Sequence, residues 1–161
     1  MRRILTGLVL ILMLTGGAGA GPLQEGHAAY ERGDYSEAAR WCRLGAEQGD
    51  HKAQFMLGGL YANGKGVPQD HAEAAKWWSL AAEQGAAPAQ NNLASAYALG
   101  EGVPQDYVLA HMWYNLASSR FPASAGNWRS SAARLRDLTA ARMTPAQIAE
   151  AQKLAREWKP K

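Results

Sequence analysis

Histidine, cysteine, paired glycines and tryptophan are the residue types here that could hold a metal, attack a carbonyl, cradle a phosphate or stack on a ring. The four histidines, His27, His51, His71 and His111, are possible zinc ligands. None stands four residues from another, the spacing that sets two imidazoles on one helical face, and no His-Glu-x-x-His occurs. Surface or packing roles are expected for them, with no metal. Cys42 follows Trp41 on an apolar stripe, so a buried, inert thiol is expected. Gly64-x-Gly66-x-x-Gln69 and Gly100-x-Gly102-x-x-Gln105 resemble part of a dinucleotide fingerprint, but the third glycine and the preceding strand are missing. Gly-x-Ser-x-Gly is absent, as is Ser-x-x-Lys from residue 21 onward. No catalytic residue and no cofactor follows from these patterns.

The tryptophans lead to the elements that position everything else. Trp41, Trp77 and Trp113 are spaced 36 residues apart, and so is much else. Ala53, Gln54, Leu57, Tyr61, Gly64, Gly66-Val67-Pro68-Gln69-Asp70, Ala74, Trp77, Leu80 and Ala81 return as Ala89, Gln90, Leu93, Tyr97, Gly100, Gly102-Val103-Pro104-Gln105-Asp106, Ala110, Trp113, Leu116 and Ala117. A shorter copy precedes them: Tyr30, Gly33-Asp34, Ala38, Trp41, Leu44 and Ala46-Glu47-Gln48-Gly49 align once about five loop residues are removed. Such self-similarity marks stacked units that share one core, so the recurring tryptophans are read as interhelix packing; Trp78 and Tyr114, one residue on, are less committed.

Each unit reads as a pair of helices, with no strand signal. Apolar residues at helical spacing predict helices over 23–32, 35–48, 52–63, 70–84, 88–99 and 106–119. Gly64, Gly66, Gly100 and Gly102 fall in loops where positive φ is expected. Pro122 breaks the pattern. A helix over 123–141 is expected to point Trp128, Leu135 and Leu138 inward, and Thr144-Pro145-Ala146-Gln147 is a capping box that opens a last helix through Trp158.

The first twenty residues differ from the rest. Arg2-Arg3, the apolar run Ile4 to Leu14 and Ala18-Gly19-Ala20 read as a secretory signal cut after Ala20. The run is shorter than the ~20 residues a bilayer span needs, so no stable membrane span is expected after cleavage. Losing both arginines takes the formal charge from +3 to about +1, which removes the argument for nucleic-acid binding. What remains is asymmetric: residues 21–106 carry six basic and eleven acidic side chains, and residues 107–161 nine and three. One cysteine makes no intramolecular disulfide, so stability rests on packing. The domain plan is a signal at 1–20, repeats over 21–122 (about 23–49, 50–85 and 86–121) and a C-terminal helical cap over 123–161.

The pattern A-x-x-x-L-x-x-x-Y-x-x-G-x-G-V-x-x-D-x-x-x-A-x-x-W, carried nearly whole by 53–85 and 89–117, resembles the Sel1-like repeat, a relative of the tetratricopeptide repeat. The resemblance implies an all-α fold, an α/α solenoid in a right-handed superhelix, with residues 123–161 as a divergent capping helix pair. It also implies a concave face that serves as an adaptor or scaffold for protein complexes, in bacterial envelopes or outside the cell. The expectation is therefore a non-enzymatic, periplasmic or secreted monomer that holds a protein or peptide. The alternative is an envelope enzyme, or a protein binding cell-wall fragments or β-lactams through Trp78 and Tyr114.

In related solenoids the first helix of each pair lines the concave face. Gln54, Phe55, Gln90, Asn91 and Ser95 are accordingly the candidate partner contacts, while Leu57, Tyr61, Trp77, Leu93, Tyr97, Trp113 and the four loop glycines hold the repeat together. The basic C-terminal residues Arg129, Arg134, Arg136, Arg142 and Arg156 are read as a solvated surface.

Overall fold

Four aspartates, three of them between the two helices of a repeat and one between repeats, start four of the helices. Asp34 accepts the backbone N–H of Glu37, Asp50 those of Lys52 and Ala53, Asp70 those of Ala72 and Glu73, and Asp106 that of Leu109. Each satisfies backbone donors that a helix leaves free in its first turn. The computed structural model describes residues 20–161, and among them it has eight α-helices and no strand. The helices are α1 (Pro22–Glu31), α2 (Tyr35–Glu47), α3 (His51–Asn63), α4 (His71–Glu83), α5 (Ala87–Leu99), α6 (Tyr107–Arg120), α7 (Gly126–Ala140) and α8 (Pro145–Glu157), with a 3-10 turn at Ala123–Ala125. The expected signal segment lies outside the described residues but for Ala20. None of the described helices is long and apolar enough to cross a membrane.

α1 pairs with α2, α3 with α4 and α5 with α6, and the second helix of each pair packs on the first helix of the next. Small residues let the backbones approach. Gly58 on α3 faces the Trp78 indole, and a Cβ there would lie 2.5 Å from the ring. Leu57 and Leu60 in one core cluster, and Leu93 in the next, are sealed from solvent. The link between repeats is polar: Gln54 Nε2 donates to the Ala46 carbonyl at 3.2 Å and Gln90 Nε2 to the Ala82 carbonyl at 3.1 Å. Buried amides of this kind need partners, and here the carbonyls of the preceding helix supply them.

The long loops are held just as tightly. Gly66 (φ 71°) and Gly102 (φ 73°) press their Cα atoms against the Tyr35 and His71 carbonyls at the start of the preceding second helix. A side chain at either position would have to occupy that space.

The C-terminal helices follow a different scheme. α7 and α8 both pack on α6, with at most marginal contact between them. α8, opened by the reciprocal Thr144 and Gln147 hydrogen bonds of its capping box, brings Leu154, Ala155 and Trp158 to the cluster around Trp113 and Leu116. The repeat position that leaves Leu44 42% and Leu80 41% exposed on α2 and α4 is thereby covered on α6, where Leu116 is 4% exposed. Trp113 is buried for the same reason, edge-on to Trp158 at 6.0 Å between ring centres, whereas Trp41 and Trp77 stay half-exposed.

Two residues expected to point inward do not. Trp128 is 64% and Leu138 58% exposed. The packed stripe of α7 is Ala132, Leu135, Arg136 and Thr139, at helical spacing. Trp128 sits in the first turn ahead of that stripe, stacked on Phe121 with ring centres 6.4 Å apart, and Leu138 falls one residue off it. Leu135 does pack against the core.

Candidate functional site

A groove of about 780 Å³ opens between the first turns of α3 and α5, and the end of α6, the 3-10 turn and the start of α7 close it at one side. Phe55 and Met56 of α3, Asn91 and Asn92 of α5, and Phe121 with Trp128 form most of its wall. Pro122 creates this closure. It breaks the repeat after α6 and turns the chain, so that Phe121 stays buried at the bend while Trp128 stacks on it from α7.

The charge in the groove is one-sided. His51, Lys52 and Arg120 line it, and no carboxylate does, although residues 21–106 hold eleven acidic side chains. Among the described residues neither Lys52 nor Arg120 forms an ion pair; the ion pairs involve His27, Arg32, Lys76, Arg136 and Lys161, none of which lines the groove. The Arg120 guanidinium lies 4.3 Å over the Trp158 ring, and its partial burial pulls its pKa below the ordinary value. α5 adds to the same sign. Of helices α2–α6 it alone begins without a side-chain cap, and its first residues, Ala87 and Pro88, face the groove. A helix N-terminus carries partial positive charge.

The five candidate contacts separate into three environments. Phe55 and Asn91 line the groove. Ser95 lines a smaller groove of about 450 Å³ with Leu99, Tyr107, Leu138 and Arg142, where its hydroxyl lies 2.8 Å from that of Tyr114. Gln54 and Gln90 are a correction: they are 4% and 0% exposed, and their amides tie adjacent repeats together, so neither side chain can reach a partner. Trp78 and Tyr114 are likewise engaged in packing. Trp78 Nε1 donates to the Phe55 carbonyl at 3.3 Å, and Tyr114 is 3% exposed.

The other chemistry-bearing residues stay apart. Cys42 is fully buried, and desolvation pushes its thiol up to about 11, which leaves it protonated and unreactive at neutral pH. Among the described residues no three His, Cys, Asp or Glu side chains converge as a metal site. In the basic C-terminal region, Arg136 is held by Asp137 and Asn115, and Arg142 reaches the Tyr107 hydroxyl at 3.4 Å.

A profile of the Sel1 repeat matches residues 20–50, 51–85 and 87–120. The chain belongs to the Sel1-repeat family. Among the solved structures similar to it are two Sel1-type solenoids. One is c5321, a protective antigen present in uropathogenic Escherichia coli strains and displaying an SLR fold, with a TM-score of 0.76 at 31% identity over 85% of this chain and 29% of that one. The other is a Sel1 repeat protein from Oxalobacter formigenes, with a TM-score of 0.60 at 28% identity over 73% of this chain and 55% of that one. This chain therefore spans under a third and little over half of the two lengths. No curated protein matches it significantly.

Within this Sel1-repeat frame, Arg120, Phe121 and Trp128 are the site residues that repeat reasoning passes over, since they lie where the repeat ends. One signal for Arg120 is in the sequence. It occupies the position that holds Gln48 and Gln84 in the two earlier repeats, 72 and 36 residues before it.

Proposed function

We propose that this Sel1-repeat protein is an exported, non-enzymatic interaction module, working in the bacterial envelope or outside the cell, that holds a protein or peptide in the groove between α3, α5 and α7. The groove itself carries the reading: about 780 Å³, walled by Phe55, Met56, Phe121 and Trp128, with the Asn91 and Asn92 amides at hand for a partner's backbone. Exposed aromatic groups beside such amides are typical of surfaces that bind other chains. The family supports the interaction role, and Arg2-Arg3, the apolar run and Ala18-Gly19-Ala20 support export.

A photo-crosslinking amino acid placed at position 55 or 91 in the producing cell tests the groove, with position 101, on an exposed loop, as the control. Adducts at 55 and 91 that vanish in a Trp128→Ala background are expected. Adducts at 101 alone would overturn the assignment. Intact mass of the protein from the same cells tests export: a mature chain starting near Gly21 is expected, and a membrane-bound chain that retains residues 1–20 would contradict it.

A further inference from the structure

The charge of the groove specifies its occupant further. A partner that bound through apolar contacts alone would not require the groove to be free of carboxylates, and in this chain that freedom is conspicuous. The repeats carry nearly twice as many acidic as basic side chains, yet the lining holds Lys52, Arg120 and His51 and no acid. Arg120 has a particular history within the chain. At the equivalent place in the preceding repeat, Gln84 Nε2 donates to Gln54 Oε1 at 2.9 Å. Arg120 does not make that bond; it turns onto Trp158, and Gln90 Oε1 is left buried with no donor. The substitution thus forgoes an internal hydrogen bond and places a half-buried cation, without a carboxylate partner, at the groove wall. A desolvated guanidinium of this kind favours a carboxylate as its neighbour.

We propose that the groove takes an extended acidic segment of another protein, with an aromatic or large aliphatic side chain against Phe55, Phe121 and Trp128 and its carboxylates facing Lys52, Arg120 and the open start of α5. The proposal rests on the groove being the partner site. It adds the sign of the partner's charge and its pairing with an apolar anchor. Basic segments are disfavoured by Lys52 and Arg120, and the excess of acidic side chains in the repeats disfavours an acidic segment on much of the surface around the groove.

Three dye-labelled nonapeptides test it by fluorescence anisotropy on the chain from residue 21 onward. Each alternates phenylalanine with aspartate, serine or lysine. The aspartate peptide is expected to bind, to weaken as salt rises, and to bind about fivefold to tenfold less well to Arg120→Gln and to Lys52→Gln. Arg120→Gln is suited to the purpose because glutamine is the residue that the earlier repeats carry there, and the melting curve of each variant confirms that it is folded. If the aspartate and serine peptides bind equally, and neither variant changes this, the acidic inference fails and the groove reading stands. If the lysine peptide binds best, the inferred sign is wrong. If none of the three binds, the groove reading and the inference fail together.

Discussion

Gln84, at the end of α4, donates its side-chain amide to Gln54 of α3 at 2.9 Å and so ties together the two helices of one repeat. The next repeat lacks this bond because Arg120 stands in Gln84's place, and Gln90 Oε1, in a side chain that is 0% exposed, has no partner. A buried acceptor without a donor costs about 1–3 kcal/mol, whereas the Arg120 contact with Trp158 contributes about 0.5–2 kcal/mol. Arg120→Gln supplies the missing donor and removes that contact. Its unfolding free energy should therefore stay within about 1.5 kcal/mol of the parent, in either direction. Urea titration checks this; a loss above about 3 kcal/mol would mean that the guanidinium, and not the glutamine pairing, holds α6 to α8.

Leu80 and Leu116 are the same residue of the repeat with different surroundings. Leu80 is 41% exposed on α4, and α8 leaves Leu116 only 4% exposed on α6. Leu116→Ala should cost about 2–5 kcal/mol by opening a cavity under Leu154 and Trp158, and Leu80→Ala about 1 kcal/mol or less. Equal costs in thermal or urea unfolding would show that α8 does not seal this face of α6 in solution.

Gly66 and Gly102 serve the loops by their shape. Each has a positive φ, and each Cα lies against a backbone carbonyl of the preceding second helix, Tyr35 for Gly66 and His71 for Gly102. Alanine at either position should cost more than the ~1 kcal/mol of left-handed strain alone, because the carbonyl cannot move without disturbing the start of α2 or α4. Gly49 gives the contrast: φ is 90° there, and nothing lies within 4 Å of an added Cβ. Gly49→Ala should show the backbone strain alone. Melting midpoints of the three variants decide it, and Gly66→Ala no worse than Gly49→Ala would remove the steric part of the argument.

The repeat made most of the fold legible. Aspartate at the helix starts, glycine at the ends and apolar residues at helical spacing all agree, and a 36-residue offset repeats the agreement. The site was less so, for two physical reasons. Gln54 and Gln90 are polar, which suggested exposure, but they are unchanged between copies, and unchanged positions in a repeat mark packing; that second signal is the one the structure follows. Arg120, Phe121 and Trp128 belong to the end of the array, where no next copy constrains them. α7 buries only Ala132 and Thr139, so the pattern of its large residues does not reveal its packed face. Trp128 looks like core by type and is exposed by position.

His111 gives the cap a dependence on pH. Its ring is 4% exposed, its Nδ1 has no hydrogen-bond partner, and it stands where the preceding repeat has Ala75. Burial, together with the positive charge of Arg136 on α7, holds its pKa below the ordinary 6.5, with Asp137 opposing. The unfolded chain takes up this proton near pH 6.5 and the folded chain only at lower pH, so the unfolded state binds more protons between those two values. Stability should be undiminished above pH 6.5, fall as the pH drops below it, and level off once the folded imidazole is itself protonated. His111→Ala removes the titrating group at a position that already accepts alanine one repeat earlier, so the variant should lose the fall between pH 7 and pH 5 even if its stability at pH 7 is lower. Urea midpoints of parent and variant at the two pH values measure that difference, and an unchanged fall in the variant would assign it to a group other than His111.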